Sequence, residues 1–302
     1  MTDLAKGAAA GLETSAGAGG QPVLDLLVDL LDLEKIEENI FRGVSPVHSP
    51  VRVFGGQVAG QALVAAGRTV PSERKVHSLH AYFIRPGDPS IPIVYEVDRI
   101  RDGRSFTTRR VVGVQHGKAI FALSASFQKV EPGLEHADEM PEVPAPETLP
   151  TFTERMRQFP DMAGLQSRPR PIDIRYVTDP PWLTRGTGEH VVRNQVWMRA
   201  DGRLPDEELL HVCVLTYASD MTLLDSPLAR HGVYWDLDHV TGASLDHALW
   251  FHRPFRADEW FLYDTASPSA SGARGLATGR FFAADGTLIA TVVQEGLLRV
   301  GP

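Results

Sequence analysis

The segment HSLHAYFIRPG (residues 77–87) returns in altered form as LDHALWFHRPF (residues 245–255), with Arg85-Pro86 matched by Arg253-Pro254. Further on, KAIFALSASFQ ends at Gln128 and TLIATVVQ ends at Gln294, and the turn signal His116-Gly117 is answered by Asp285-Gly286. Two β meanders can resemble each other by chance, but a shared Arg-Pro pair and a shared terminal glutamine at matching spacing weigh against that. The repeat restricts the chain to two fused copies of one small fold, packed into a common sheet. Its 302 residues are enough for two units on the usual prior of roughly 150 residues per domain.

Each copy reads as a helix followed by antiparallel strands. In the first, Arg52–Val70 is a helix opened by Gly55-Gly56 and dense in Ala and Gly, small enough for surrounding backbone to come close. Strands then run over Val76–Ile84, Ile91–Arg101, Ser105–Gln115 and Lys118–Val130, rich in β-branched and aromatic residues. Asp102-Gly103 and His116-Gly117 mark compact hairpins. In the second copy, strands near Ile172–Val177 and His190–Met198 precede a helix over Glu207–Leu224. Four more strands follow, over Ser244–His252, Glu259–Thr265, Arg274–Phe282 and Thr287–Arg299. Ahead of both copies, Val23–Phe41 has the period of an amphipathic helix, with Leu26, Leu27, Leu30, Leu31 and Leu33 on its apolar side. The class is α+β. The expected organisation is a disordered extension over residues 1–22, a first repeat over 23–130, an acidic and Pro-rich linker over 131–170, and a second repeat over 171–302.

A net charge of −8 with no basic stripe or tail excludes a general nucleic-acid binder. Cys213 is the single cysteine, so no internal disulfide framework exists. Its expected role is that of a small core residue in a reducing compartment. No apolar run approaches membrane-spanning length, and the first residues lack the basic and apolar regions of a secretory signal. The C-terminus carries no peroxisomal or retention tripeptide. The expectation is a cytoplasmic protein with no membrane partner.

The Glu207–Leu224 helix is the chemical anomaly. Leu210, Val214, Tyr217, Met221 and Leu224 form one stripe, and Leu209, Cys213 and Thr216 extend the uncharged surface around most of the circumference. Such a helix belongs in a core, yet it carries Asp220 near its end, where an unpaired carboxylate is costly. Gln294 shares a strand face with Leu288, Ala290 and Val292, and Ser244 opens a strand after the intervening loop. An acid, a hydroxyl and an amide can together hold one water and deprotonate it. The plain alternatives are a helix-end feature for Asp220, a turn residue for Ser244 and a sheet-edge amide for Gln294.

Other constellations are thinner. There is no Gly-x-Ser-x-Gly elbow, Walker loop or dinucleotide glycine fingerprint. His77, His80, His247 and His252 lie on strands without metal-ligand spacing and read as structural, with His247 alone close enough in sequence to orient Asp220 or Ser244. No metal site is expected. Arg101, Arg104, Arg109, Arg110 and Arg274 near hairpins are candidates for phosphate contacts, against the plainer reading of solvated arginines. The small-residue run from Ser267 through Ser269 and Ser271 to Gly272, just before Arg274, would let backbone N–H groups approach an anion.

Taken with LEKIEENIFRG, VFGGQVAGQAL, VHSLHAYFIRPGDPSIPIVYEVDRIRDGRSF, YASDMTLL and VVQEG, these segments resemble the acyl-CoA thioesterase II family from Leu24 to Arg299. The resemblance implies a double hotdog fold, each helix wrapped by its own antiparallel sheet. It implies a catalytic Asp at Asp220, a catalytic Gln at Gln294, and the family's Thr or Ser hydroxyl at Ser244. The implied reaction is hydrolysis of medium- to long-chain acyl-CoA to free fatty acid and CoA, with no cofactor beyond the CoA of the substrate. It also implies association into homo-oligomers, dimers or tetramers. Gly55, Gly56 and Gln57 are candidates to contact the substrate, with Arg101, Arg104, Ser269, Ser271 and Arg274 for its CoA moiety. In the first copy Gln128 survives, but Val76 replaces the hydroxyl and the Arg52–Val70 helix offers no carboxylate after its arginine, so one site per chain is expected. The rival activities are an enoyl-CoA hydratase or dehydratase relying on Asp246-His247, and a non-catalytic acyl-CoA binding module.

Overall fold

The computed structural model describes residues 19–46, 52–157, 170–184, 187, 190–235 and 239–301. Most of the expected N-terminal extension (residues 1–18) and the second half of the linker (158–169) lie outside the described residues.

Thirteen antiparallel strands form one sheet. The first copy supplies β1 (Glu34–Glu37), β2 (Ile40–Gly43), β3 (Arg74–Phe83), β4 (Ile93–Asp102), β5 (Phe106–Gln115) and β6 (Lys118–Lys129). The second supplies β7 (Ile172–Tyr176), β8 (Arg193–Ala200), β9 (Val240–Ser244), β10 (Asp246–Phe251), β11 (Phe261–Ser271), β12 (Arg274–Ala283) and β13 (Leu288–Val300). The order β1-β2-β4-β5-β6-β3-β10-β13-β12-β11-β8-β7 is a near mirror about the β3–β10 junction, with β9 paired to the far end of β13. At that junction His80 lies opposite Ala248. These are the fourth residues of the two repeated segments, so the repeats meet as two subunits would across a two-fold axis.

The helices among the described residues are α1 (Gln21–Leu31), α2 (Gly55–Gly67), α3 (Phe152–Met156), α4 (Glu208–Ser219) and α5 (Asp225–Arg230). Helices α2 and α4 are buried along nearly their whole lengths and share one apolar core with both halves of the sheet. They run antiparallel in close contact. A Cβ placed on Gly56 would fall 2.4 Å from the Tyr217 carbonyl oxygen, and one on Gly60 would fall 3.3 Å from that of Cys213. The small residues of α2 therefore admit the second helix as well as the sheet. Cys213 is buried at this contact.

Several expected boundaries move. The helix predicted over Val23–Phe41 starts at Gln21 and stops at Leu31, and residues 34–43 form the β1–β2 hairpin instead. The leucine period carries the eye past Asp32, where the backbone leaves the helical region at φ −79°, ψ 86°. Helix α4 ends at Ser219, which makes Asp220 its cap, and Ser244 closes β9 where it was expected to open a strand. The linker is not a free tether. Met140, Val143 and Leu149 pack on Trp197, Leu262 and Phe282, and the Trp197 indole N–H donates to the Pro144 carbonyl at 2.9 Å.

The His116-Gly117 hairpin follows its signal, while the Asp102-Gly103 signal gives a longer loop, with β5 starting only at Phe106. His116 and Gly117 have φ of 49° and 68°, as a two-residue type I′ turn requires. Gly272 and Ala273 (56° and 58°) make the same kind of turn between β11 and β12, whereas at Asp285-Gly286, the counterpart of His116-Gly117, only Gly286 has a positive φ, 91°.

Candidate active site

The two central helices meet so that the start of α2 faces the end of α4. Gly55 lies against Asp220, since a Cβ there would stand 2.6 Å from Asp220 Oδ2. The adjacent Gly56 N–H hydrogen-bonds to the Asp220 carboxylate. Opposite the helices, β13 brings in Gln294, which is fully buried and donates from Nε2 to Asp220 Oδ1 at 2.9 Å. Ser244 arrives on the next strand, paired with Gly296, and its hydroxyl also bonds to the carboxylate. Thus the three residues singled out in the sequence converge on one carboxylate, with a backbone donor from the other copy.

Asp220 sits at the C-terminal end of α4, where the helix dipole is negative and an anion is unfavourable. Burial raises its pKa from 3.8 to about 6, while Gln294, the Gly56 N–H and Ser244 pull in the opposite direction. A carboxyl held near 6 is ionised at neutral pH yet more basic than an exposed one. That is the profile of a general base.

Asp220, Ser244 and Gly55 open onto a cavity of about 710 Å³. Val53, Phe54, Val58, Phe83, Phe121 and Leu224 give it apolar walls, while Arg52 and Arg85, both exposed, line it from its solvent side. Gln294 does not line this cavity. It stands behind the carboxylate and hydrogen-bonds to it directly.

The remaining candidates are distributed differently. Gln57 is buried and donates to the Val44 carbonyl and Ser45 Oγ, both at 3.0 Å. Arg101 and Arg104 flank the β4–β5 hairpin, which lies at the Gln128 end of β6, whereas the cavity meets β6 at Ile120 and Phe121. Seven residues of strand, roughly 23 Å, separate the two places. Ser269 and Ser271 are on the exposed end of β11, and Arg274 pairs with Glu295 at 2.9 Å. None of these five lines the cavity. Arg109, weighed as a phosphate ligand, is 1% exposed and bonds to Thr69 and Asp102.

Asp225 and Trp235 were not anticipated. Both line the cavity, and the Trp235 indole donates to Asp225 Oδ1 at 2.6 Å. Burial lifts the Asp225 carboxyl to about 7. The signal was present as a second acid five residues after Asp220 in an otherwise apolar run, LLDSPL. No three His, Cys, Asp or Glu side chains gather into a metal site among the described residues.

Two helix-and-sheet copies sharing one sheet, with a buried acid where the helices touch, define a double hotdog protein of the thioesterase type. Residues 166–297 match the family model described as acyl-CoA thioesterase, and residues 45–128 match that of its N-terminal domain. The chain is 42% identical to acyl-coenzyme A thioesterase 8 of Mus musculus, over 92% of this chain and 90% of that one. It is 39% identical to acyl-CoA thioesterase 2 of Haemophilus influenzae, over 92% and 98%. Among solved structures, acyl-CoA thioesterase II TesB2 from Mycobacterium marinum superimposes with a TM-score of 0.75 at 46% identity, covering 91% of this chain and 98% of that one. The chain belongs to the acyl-CoA thioesterase II family of thioester hydrolases.

Proposed function

We propose that the protein hydrolyses acyl-CoA to a free fatty acid and CoA, with Asp220 as general base. The observation that carries the reading is the convergence of Gln294, Ser244 and the Gly56 N–H on one partly buried carboxylate at a cavity wall. In this scheme Asp220 takes a proton from a water molecule as the water oxygen attacks the thioester carbonyl carbon. The C–S bond then breaks, and the departing thiolate takes up the proton held by Asp220. Ser244, which faces the cavity, holds the water against the carboxylate, and Gln294 holds the carboxylate against the water. No cofactor enters the scheme.

The cavity volume lies within the range of about 300–1,000 Å³ typical of small-molecule sites, and its Phe83 and Phe121 walls suit a medium- to long-chain acyl group. Arg52 and Arg85 are placed to meet the phosphates of CoA at the solvent side. The hydratase alternative needs a histidine at the reacting centre, and His247 is 1% exposed and bonded to Ser219 Oγ.

No helix of the described residues is long and apolar enough to cross a membrane. Together with the unpaired buried Cys213, this suits the cytoplasmic placement that we adopt. We also assign a homo-oligomer, formed on the outer face of the β3–β10 junction, where the His80–Trp250 aromatic pair adjoins Tyr82, 65% exposed. The activity is tested by following thiol release from acyl-CoA. Asp220→Ala should lose orders of magnitude in turnover with an unchanged circular dichroism spectrum, and near-normal hydrolysis by that variant would refute the assignment.

A further inference from the structure

Behind Gln294 lies a second buried polar side chain that the scheme above does not use. His247 on β10 is 1% exposed. Its Nε2 stands 2.8 Å from Ser219 Oγ, and that hydroxyl is also 2.8 Å from the Thr216 carbonyl oxygen. Ser219 is the last residue of α4, immediately before Asp220. On the other side of the ring, His247 Nδ1 and Gln294 Oε1 are both buried and neither has a hydrogen-bond partner, while the β10–β13 register, with Ala248 opposite Val293, sets the two residues side by side on neighbouring strands. The ring and the amide interact, since Gln294 raises the pKa of a histidine that burial drives down to about 4. His247 is therefore neutral wherever the enzyme is folded and active, and it carries one ring proton.

The position of that proton follows from counting donors. Ser219 has one hydroxyl proton and two acceptors in reach, the Thr216 carbonyl and His247 Nε2. If the proton goes to Thr216, His247 must carry its own at Nε2, and the Nδ1 lone pair then faces the Gln294 Oε1 lone pairs in a buried site. Two opposed acceptors with no donor between them are costly. If the hydroxyl donates to Nε2, the ring carries its proton at Nδ1 and donates to Gln294 Oε1. The Gln294 amide then has one orientation only, with its NH₂ toward Asp220 Oδ1.

We propose that His247, as the Nδ1–H tautomer set by Ser219, is a positioning residue that locks the Gln294 amide so that it donates to the Asp220 carboxylate. Without this lock the amide is free to rotate by 180°, which would set Oε1 against the carboxylate and raise the pH at which Asp220 ionises. The proposal rests on the general-base reading of Asp220.

Two substitutions separate the two ends of the ring. In His247→Asn the side-chain amide places an N–H near the former Nδ1 and gives up the contact with Ser219. In His247→Gln it reaches Ser219 and gives up the donor to Gln294. The pH profile of kcat/KM is measured for both, with Asp220→Asn alongside. His247→Asn should stay within a few-fold of the parent with its acidic limb in place. His247→Gln should lose at least tenfold in kcat with little change in KM, its acidic limb moved to higher pH. Equal behaviour of the two, the reverse order, or an unmoved limb in His247→Gln would overturn the proposal. A further measurement on the unsubstituted enzyme does not depend on either variant folding: long-range ¹H–¹⁵N correlation should report a buried Nδ1–H ring, and an Nε2–H ring would overturn it. Survival of activity in Asp220→Asn would instead remove the general base, a separate result that these tautomer data cannot mimic.

Discussion

Replacing Asp220 with Asn should make the protein more stable at alkaline pH while abolishing turnover, and the size of the effect can be worked from its surroundings. The folded-state carboxyl titrates near 6 against 3.8 for an unperturbed one. Between those values the folded protein holds a proton that the unfolded chain has released, so stability falls as pH rises through the window. Above both values the ionised wild-type carries about 3 kcal/mol of penalty. Asn has no charge to desolvate and none to set against the negative end of α4. It does replace one carboxylate oxygen with an NH₂, which leaves one of the three donors facing a donor, at about 1 kcal/mol. The expected net gain is about 2 kcal/mol at pH 8, turning into a loss of about 0.5 kcal/mol near pH 4. Urea midpoints for both proteins at pH 4, 6 and 8 measure this directly, with thiol release as the activity readout. A stability difference that stays flat from pH 4 to 8 would refute the reasoning, because it would mean that Asp220 titrates as an exposed carboxyl.

Three further outcomes follow from the same contacts. Ser244→Ala removes a hydrogen bond that lowers the Asp220 pKa, so the acidic limb of kcat/KM should move above pH 6 as kcat falls, read from a pH–rate profile. Gly56→Ala would place a methyl group 2.4 Å from the Tyr217 carbonyl oxygen, a backbone atom that cannot rotate away. Forcing the two helices apart should cost about 1–3 kcal/mol and lower the melting temperature along with activity. Gln128→Ala, at the first-copy counterpart of Gln294, should leave turnover within twofold of wild-type, whereas Gln294→Ala should lose at least a hundredfold.

Most of the longer strands were legible because they announce themselves by local composition and the copies check each other, but the β1–β2 hairpin and β9 were not. The Arg-Pro pair and the terminal glutamine fix the alignment of the repeats, and the junction of β3 with β10 then follows from symmetry. The cluster of Asp220, Ser244 and Gln294 was legible for a different reason. Asp220 and Gln294 are polar at positions where the helical and strand periods demand burial, and such conflicts between pattern and residue gather at functional sites. What the sequence concealed is nonlocal. Arg109 reads as one more hairpin arginine until Thr69, forty positions earlier in the chain, accepts from its guanidinium. Val23–Phe41 reads as one amphipathic helix, yet its Ile36 is 50% exposed on β1. The cavity walls could not be assembled either, because Arg52, Phe83, Leu224 and Trp235 come from four segments with no shared signal.

The two helix ends differ in a way that fits the expectation of one site in the fused pair. Helix α2 is capped at its C-terminus by Arg68 and helix α4 by Asp220. A cation at that end complements the dipole, and Arg68 adds a hydrogen bond to the Leu33 carbonyl and an ion pair with Asp32. Asp220 has the opposite sign for its position and is tolerated through three donors, of which the Gly56 N–H comes from the other copy. The reciprocal corner, where the end of α2 meets the start of α4, contains Leu209 packed on Gly67. An apolar contact there stabilises the pair at the place where a second carboxylate would have destabilised it. The first copy thus supplies a backbone donor and cavity walls, and the second supplies the carboxylate that we propose as the base. Separating the repeats would leave Asp220 without the Gly56 N–H and its cavity without Phe83 and Phe121. On the proposed reading of Asp220 as the base, the active unit is the fused pair, and neither half alone should hold the carboxylate in its reactive state.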